Sequence, residues 1–358
     1  MARLLALTAI VILMSACAAK FLKIDSDEKI GDIKEYDKKL KVDDIEKPKS
    51  VKETKPEPGE VTTTTIKRVY EQVAKPEEEK PKDKGKEKQK IPEKKEPPKG
   101  VTTTKKRIPD FEDGVGFNGR RPVVDPIRVG EKVVLEASYL GMTAGKITIE
   151  TLPFKQVNGR KAYHFQVNAQ TSSFFNAFYA VDDTAETFLD YEDLIPYNFA
   201  IHMKESKQLK EVRAYFDWQK KKAHYWEQKI TKEKGEKTKK YEWDILPFSQ
   251  NIFTGPMYFR MFHLEPGKKI KFRLADEKKN ILVDADVLRR EEISTPIGKL
   301  QTLVIRPQVQ ISGALKPMGD VLFWITDDDR KFIVKIDAKI KIGTIHARLV
   351  DLDPGPAQ

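Results

Sequence analysis

The sequence contains very little cysteine and histidine. Cys17 is the single cysteine among 358 residues, which excludes disulfides within the chain and zinc sites built on cysteine. The five histidines are scattered, and none stands at an HxH or HExxH spacing. No G-x-S-x-G elbow or P-loop occurs, and no glycine-rich stretch stands between a strand pattern and a helix pattern, as a dinucleotide fingerprint requires. We therefore expect no catalytic residue, no metal and no cofactor.

Charge is abundant but unevenly placed. The formal net charge is +11, and lysines are concentrated in the first third of the chain. A basic protein favours anionic neighbours such as nucleic acid, phospholipid head groups or acidic polymers. No RNP-like aromatic motif, zinc-finger spacing or recognition-helix pattern accompanies the charge. The sequence therefore predicts no nucleic-acid partner.

The first seventeen residues form a targeting signal. An apolar run from Leu4 to Met14 is shorter than the roughly twenty residues that span a bilayer, but it suits a secretory signal peptide. Ser15 and Ala16 then lead into Cys17. This pattern resembles the lipobox of bacterial lipoproteins, with Met14 where leucine is usual. The alternative is an ordinary signal peptide cleaved after Ala16, which would leave a free thiol.

The lipobox resemblance implies a lipid anchor. Residues 1–16 would be removed and Cys17 acylated, with palmitate among its chains. Several acyl chains, at about 0.8 kcal/mol per buried methylene, give stable attachment to a membrane. Ala18 and Ala19 follow the cysteine in place of the aspartate associated with inner-membrane retention. We therefore expect an outer-membrane lipoprotein that faces the periplasm and contacts the membrane through its N-terminal lipid.

Residues 17–118 are predicted to be a disordered tether. The stretch from Lys75 to Lys99 contains one large apolar residue, Ile91, and no aromatic residue, so it cannot bury enough surface to offset the entropy of ordering. Its lysines could contact anionic peptidoglycan polymers or other envelope components, or simply keep a spacer solvated. The earlier segment FLKIDSDEKIGDIKEYDKKLKVDDI has weak helical or mixed character.

A short phrase occurs twice within this tether. Val61–Thr64 and Val101–Thr104 both read VTTT and are followed within a few residues by basic side chains. Valine and threonine favour extended backbone, so each copy could add as a strand to a partner. Duplication of low-complexity sequence explains the repeat equally well.

Residues 119–353 have the pattern of a β domain, with 354–358 as a C-terminal tail. Apolar residues alternate with polar ones from Val133 to Tyr139, and Asn158-Gly159 is a strong hairpin signal. We predict a mainly β fold: a single antiparallel β-barrel, half-barrel or roll of roughly ten to twelve strands. One short helix is expected at Pro256–Phe262.

Several phrases of this region resemble one family of bacterial exported proteins. They are GEKVVLEASYLGMTAGKITIE, AYHFQVNAQTSSFFNAFYAVDDTAETFLD, PMYFRMFHLEPG, STPIGKLQTLVIRP and GDVLFWITDDDRKFIVKIDAKIKIGTIHARL. The chain is similar over about 120–350 to proteins that carry the domain of unknown function 3108. The resemblance implies an exported β-rich domain and supplies no catalytic residues.

Three consecutive carboxylates, Asp327–Asp329, are the most conspicuous candidate for chemistry. They fall between two apolar alternating runs, where aspartate favours a turn, and Arg330 and Lys331 are close enough in sequence to neutralise them. We interpret them as a corner between strands. Asp182-Asp183 and the pair Asp284 and Asp286 repeat the carboxylate theme on predicted strands.

Two aromatic groups suggest either a packed interior or an apolar ligand pocket. A β-roll lined by them could hold an acyl chain, whereas small barrels commonly fill their interior with such side chains. The candidate pocket residues are Phe174, Phe175, Phe178, Tyr179, Tyr258, Phe259 and Phe262.

The sequence favours a non-enzymatic protein of the cell envelope. The first hypothesis is a binding or scaffold domain presented on a long tether for envelope assembly or maintenance. The second is a carrier or chaperone that binds a lipid or another apolar ligand inside the β-roll. A cell-wall hydrolase is the third, and it lacks a recognisable catalytic motif.

Overall fold

A computed structural model of the chain describes residues 33–45, 117–311, 314–317, 321–340 and 343–356. The predicted signal peptide, Cys17 and both copies of the VTTT phrase lie outside the described residues. Within the described part, no helix is both long and apolar enough to cross a membrane.

One large antiparallel sheet forms the domain. Its strands run in the order β11-β10-β9-β8-β7-β6-β5-β4-β18-β17-β16-β14-β13-β12, with β1 paired to β5 and β15 to β14, while β2 and β3 form a separate hairpin. Their bounds are β1 Val42–Asp44, β2 Phe117–Asn118, β3 Arg121–Pro122, β4 Glu131–Tyr139, β5 Met142–Val157, β6 Arg160–Thr171, β7 Val181–Asp190, β8 Asn198–Glu205, β9 Gln208–Asp217, β10 Lys222–Thr231, β11 Gly235–Asp244, β12 Lys269–Asp276, β13 Lys279–Thr295, β14 Gly298–Ile311, β15 Ala314–Pro317, β16 Val321–Thr326, β17 Ile333–Lys339 and β18 Thr344–Pro354.

The two ends of this sheet meet, as a roll requires. The segment after β11 runs beside β12: the amide of Gln250 donates to the carbonyl of Arg273, and the amide of Ala275 donates to the carbonyl of Gln250, both at 2.8 Å. The side-chain amide of Asn280 also donates to the carbonyl of Asp244 at 2.9 Å. The predicted mainly β, antiparallel fold class is confirmed.

The strand number differs from the prediction. The chain from β4 to β18 forms fifteen strands in the described residues, where the sequence indicates roughly ten to twelve. The lysine-rich β11 is exposed along most of its length, and only its end, at Tyr241 and Trp243, packs on the core, so it has no sustained apolar alternation to reveal it. The short β15 was missed as well.

Three short helices accompany the sheet in the described residues: α1 Lys34–Asp37, α2 Ser173–Asn176 and α3 Thr254–Phe259. Helix α3 is the one predicted, but it begins two residues before Pro256. Asn251 explains the earlier start, because its Oδ1 accepts the amide protons of Phe253 and Thr254, both at 2.8 Å. This side chain satisfies donors that the first helical turn leaves unpaired.

The main hydrophobic core encloses α3. Met257, Tyr258 and Phe262 are buried against inward-facing side chains of β6, β7 and β12–β14. A separate cluster packs β4 and β18 against β14, β16 and β17. Helix α3 thus occupies the inside of the roll.

Residues 33–45 pack on this domain. Asn198 donates from Nδ2 to the hydroxyl of Tyr36 at 2.8 Å, and Trp226 packs edge-on against the same ring. Strand β1 pairs with the end of β5. These residues fall within the range assigned to the tether, so part of that range belongs to the folded domain.

Candidate functional site: an apolar cavity under helix α3

A cavity of about 90 Å³ lies between α3 and the inner face of five strands, β12, β13, β14, β16 and β17. Because side chains alternate along a strand, alternate residues of each strand point to this one space. The lining residues are Ile252, Gly255, Pro256, Phe259, Arg260, Phe272, Leu274, Val283, Ala285, Ile305, Pro307, Phe323, Ile325 and Ile333. The wall is therefore hydrocarbon except for Arg260.

Two small residues determine the shape of the cavity. A Cβ atom at Gly255 would lie 2.9 Å from Cδ2 of Leu274, so glycine allows the helix to approach β12 closely. Ala285, which is buried, presents only a methyl group between the larger side chains of β12 and β14. A larger side chain at Ala285 would project into the cavity.

One side of the cavity reaches the surface. Ile252 and Pro256 before and in α3, together with Phe323 and Ile333 on the sheet, are half-buried, whereas Phe272 and Ile305 are buried. An apolar ligand could enter between these four rim residues and place its end against the buried wall.

The polar group in the wall is already fully engaged. The guanidinium of Arg260 donates to both carboxylate oxygens of Glu131 at 2.7 and 3.1 Å. It also donates to the carbonyls of Arg330 and Pro126, each at 3.0 Å, and to the sulfur of Met257 at 3.6 Å. All five guanidinium N–H groups have acceptors. Arg260 therefore has no donor left for the head group of a ligand.

Glu131, on β4, connects Arg260 after α3 to the neighbouring strand β5 and to the turn that holds Arg330. It accepts a further hydrogen bond from Arg330 at 2.7 Å and one from Thr151 at 3.1 Å. Burial opposes its ionisation, but the positive charges of Arg260 and Arg330 outweigh burial and hold the pKa of Glu131 below its usual range. The charged end of the cavity is a closed structural network.

The structure does not bring the seven predicted pocket residues together. Tyr258, Phe259 and Phe262 lie in the main core, and Phe259 lines the cavity. Phe174, Phe175, Phe178 and Tyr179 lie on or just after α2, next to the start of β7. The segment that leads into α3 contacts β7 farther along, where the side-chain amide of Asn251 donates to the hydroxyl of Thr187. Six residues of strand separate these points, a distance of about 20 Å. The structure therefore separates residues that the sequence grouped in one candidate pocket, because strand pairing between residues far apart in the chain decides where each connection lies.

The members of the α2 group also differ from one another. Phe174 and Phe178 are exposed, with ring centroids 5.5 Å apart. Tyr179 is buried and donates its hydroxyl proton to Glu205. Sequence reasoning missed most of the cavity wall, which comes from ordinary strand residues such as Ala285 and Ile305.

The three consecutive aspartates form a corner, as predicted. Oδ1 of Asp328 accepts the hydroxyl proton of Thr326 at 2.7 Å and the amide protons of Arg330 and Lys331 at 3.0 and 2.8 Å. The expected neutralisation by Arg330 is wrong, because its side chain turns inward to Glu131. Arg290, on β13, pairs with Asp327 at 2.6 Å instead.

Each histidine lies beside a carboxylate. His202 faces Glu211 across β8 and β9, and His346 lies 2.6 Å from Asp337 across β17 and β18. The remaining pairs are His164 with Glu186, His224 with Glu242 and His263 with Glu265. Among the described residues, no group of three or more His, Cys, Asp or Glu side chains could hold a metal ion. The pairing of His202 with Glu211 could have been predicted from the short β8–β9 hairpin, which places the two residues opposite each other.

The other predicted carboxylate pairs have separate roles. Asp284 and Asp286 pair with lysines of the neighbouring β12, at 3.5 Å from Lys271 and 3.2 Å from Lys269. Asp183 is buried near Glu205, and burial together with the Glu205 charge raises the pKa of Asp183 to about 7. This pair lies at the end of the sheet that carries α2, where a polar cleft of about 420 Å³ opens.

The fold and this cavity define a class: an antiparallel β-roll that surrounds a short internal helix and an apolar cavity. Comparison with protein families then identifies the group. The chain belongs to the family described as Protein of unknown function (DUF3108), whose family model matches residues 134–350. The matched range covers most of the sheet, the internal helix and all the residues that line the cavity. A comparison with curated proteins found no match.

Three solved structures are similar in fold. A beta-barrel-like protein of the domain of unknown function DUF1849 from Brucella abortus is 13% identical with a TM-score of 0.39, covering 63% of this chain and 98% of its own. A candidate exported protein with a YmcC-like fold from Bacteroides fragilis is 8% identical, with a TM-score of 0.29 and coverages of 64% and 97%. A candidate lipoprotein from Parabacteroides distasonis is 7% identical, with a TM-score of 0.24 and coverages of 63% and 96%. We transfer no function from them.

Proposed function

We propose that this domain is a non-enzymatic binding module of the bacterial envelope that takes the hydrocarbon end of a lipid or another apolar ligand into the cavity under α3. The observation that carries the proposal is a cavity whose wall is hydrocarbon, apart from one arginine with every donor engaged. The proposal selects the carrier or chaperone alternative over a pure scaffold, because a scaffold needs no internal space that opens between rim residues.

The chemistry of the wall limits the ligand class. Each methylene moved from water into such a wall contributes about 0.8 kcal/mol. A charged group placed there would lose its hydration and find no free partner, since Arg260 is bound to Glu131. The ligand therefore places an aliphatic or aromatic end inside and leaves any head group at the rim.

The envelope location is part of the proposal and rests on residues 1–17. The apolar run and the position of Cys17 support acylation at that cysteine and attachment to the outer membrane, facing the periplasm. Metabolic labelling with palmitate tests this: label should enter the parent chain and be absent from a Cys17→Ser variant. Label retained in that variant would contradict the anchor.

The cavity is tested by binding of N-phenyl-1-naphthylamine and of saturated fatty acids to the full chain. An Ala285→Leu variant adds carbon to the cavity and displaces part of the ligand. Exclusion of two methylenes costs about 1.6 kcal/mol, so the affinity should fall roughly fifteenfold. Native mass spectrometry of the parent chain should show a bound fatty acid that is lost in this variant.

The matched control is Ala347→Leu, the same change at a buried alanine of the separate β4–β18 cluster. Thermal unfolding first establishes that both variants are folded, and Ile333→Ser at the rim supplies an independent variant if Ala285→Leu is not. Equal binding by the parent, Ala285→Leu and Ile333→Ser would contradict the proposal. So would a parent chain that binds none of these probes.

A further inference from the structure

Four large apolar side chains protrude from adjacent turns at one end of the sheet. They are Leu140 and Met142 at the β4–β5 turn, exposed by 64% and 46%, and Phe174 and Phe178 on and after α2, exposed by 61% and 53%. We name these four residues the apolar tip. Ser172 joins the two turns, because its amide donates to the carbonyl of Ala144 and its hydroxyl to the carbonyl of Thr143, both at 2.9 Å.

Leu140 is in a backbone conformation that its side chain does not favour. Leu140 has a φ of 49° and Gly141 a φ of 77°, so both central residues of this two-residue hairpin lie in the left-handed region. Asn, Asp and Gly are the residues that such a turn prefers, and a bulky residue there is unfavourable. Exposure of Leu140 means that burial within the domain does not compensate for this conformation. The turn therefore holds an apolar side chain out from the domain at a conformational cost.

Lysines surround the tip on the same turns. Lys146 follows the β4–β5 turn, Lys204 and Lys207 flank the β8–β9 turn, and Lys339 precedes the β17–β18 turn; all four are exposed. The β8–β9 turn lies against α2, since Ser206 and Ala180 exchange two hydrogen bonds of 3.0 and 2.8 Å. Two carboxylates lie among these lysines. Asp182 is opposite Lys204 and accepts a hydrogen bond from Gln170, and Glu136 is opposite Lys146 and accepts one from Thr143 at 3.0 Å.

We propose that the apolar tip is a membrane-docking surface that inserts into the interface of a bilayer containing anionic phospholipid. Separate protruding side chains suit a deformable bilayer better than the flat face of a protein partner. Aromatic and aliphatic groups enter the boundary between head groups and acyl chains, while lysines remain among the phosphates. This surface is distinct from the cavity and does not depend on ligand binding there.

The test uses the full chain reconstituted in vesicles of phosphatidylethanolamine and phosphatidylglycerol. An environment-sensitive fluorophore is attached to Met142→Cys or, as a matched control, to Ile297→Cys. Ile297 is 45% exposed and lies in the β13–β14 turn, at the opposite end of the sheet from the β4–β5 turn. The parent chain treated with the same reagent supplies the background from Cys17. We expect a blue shift and protection from aqueous iodide at position 142 and neither at 297.

Further variants of the labelled Met142→Cys chain separate insertion from folding. Leu140→Asn matches the preference of the turn, so it should raise the thermal midpoint while it reduces the blue shift. Phe174→Ser with Phe178→Ser should abolish the shift in a folded domain. Lys207→Gln should weaken docking roughly fivefold on anionic vesicles, the effect of about 1 kcal/mol per lysine, and have no effect on neutral ones.

Three results would overturn the proposal. The first is equal solvent exposure of the labels at 142 and 297 in vesicles. The second is a blue shift that requires high protein concentration and no lipid, which indicates self-association. The third is an unchanged shift in the folded Phe174→Ser, Phe178→Ser variant.

Discussion

Helices α2 and α3 come from similar aromatic-rich stretches, SSFFNAFYAV and PMYFRMF, yet they have opposite environments. Phe174 and Phe178 are exposed at one end of the sheet, whereas Tyr258 and Phe262 are among the most buried side chains of the domain. Aromatic content alone therefore does not indicate burial in this protein.

The difference follows from the connections that carry the two helices. Helix α2 joins two neighbouring strands, β6 and β7, so it remains at the end of the hairpin. Helix α3 joins β11 to β12, the two edges of the sheet, and the closing roll encloses it. One connection presents apolar side chains to the outside, and the other places them over the inner face of the sheet.

We expect the largest loss of stability when the hydrogen-bond network between Glu131 and Arg260, which holds α3 in place, is removed. Glu131→Ala leaves the buried guanidinium of Arg260 without its carboxylate and should lower the free energy of unfolding by about 3–5 kcal/mol. Urea unfolding followed by near-ultraviolet circular dichroism measures the loss. Glu265→Ala removes a carboxylate from an exposed histidine pair and should cause no measurable change. Similar midpoints for the two variants would contradict the assigned role of Glu131.

The comparison between the helices is tested directly by the same substitution in each. Phe259→Ala removes a buried ring from the cavity wall and should cost about 3 kcal/mol of unfolding free energy. Phe174→Ala removes an exposed ring and should change that free energy by less than about 0.5 kcal/mol. Chemical denaturation of both variants checks the contrast, and equal losses would mean that the two environments are not different.

Asp183, at the end of the sheet near α2, should make the stability of the domain depend on pH. Its pKa in the folded domain is about 7, above the ordinary value of 3.8, so the folded state binds the proton more tightly. The contribution to stability is therefore present at low pH and is lost as the pH rises from about 4 to about 7. Asp183→Asn should stabilise the domain at pH 8 by up to about 4 kcal/mol and have little effect at pH 4.

Thermal unfolding of the parent and Asp183→Asn chains across this pH range measures the effect. Asp182→Asn, at a neighbouring exposed carboxylate, serves as the control: its charge makes only a smaller contribution to the raised pKa of Asp183, so it should change the pH profile much less than Asp183→Asn does. Parallel profiles for the parent and Asp183→Asn would contradict the role assigned to Asp183.

The smallest expected effect concerns residues 33–45. Tyr36→Phe removes the hydroxyl that accepts a hydrogen bond from Asn198 while it keeps the ring against Trp226. The loss should be about 1 kcal/mol, measured by chemical denaturation. Tyr36→Ala should cost more, because the ring is also lost. An unchanged stability in both variants would show that residues 33–45 do not support the domain.

Local sequence patterns predicted the local features of the fold. Period-two alternation revealed strands such as Glu131–Tyr139, Asn158-Gly159 marked a hairpin, and the aspartates before Arg330 marked a corner. Strand β11 gave no such signal because most of its length is exposed and only its end packs on the core. The carboxylate partners of the histidines required the register of paired strands, which the sequence does not state.

The candidate cavity could be predicted only in part. Phe259 was among the predicted pocket residues, and the other six do not line the cavity. Ala285, Ile305 and Phe323 come from three different strands and resemble ordinary core residues in the sequence. Nothing local distinguishes a residue that lines a cavity from one that fills a core.

The sequence by itself determined the antiparallel β class and the type of most elements, because alternation and turn chemistry act between near neighbours. Only the tertiary structure decided which aromatic helix lies inside, where Arg330 finds its carboxylate, and where space remains under α3. These outcomes depend on pairing between residues far apart in the chain. Closure of β11 onto β12 through residues 245–250 creates the interior in which they occur.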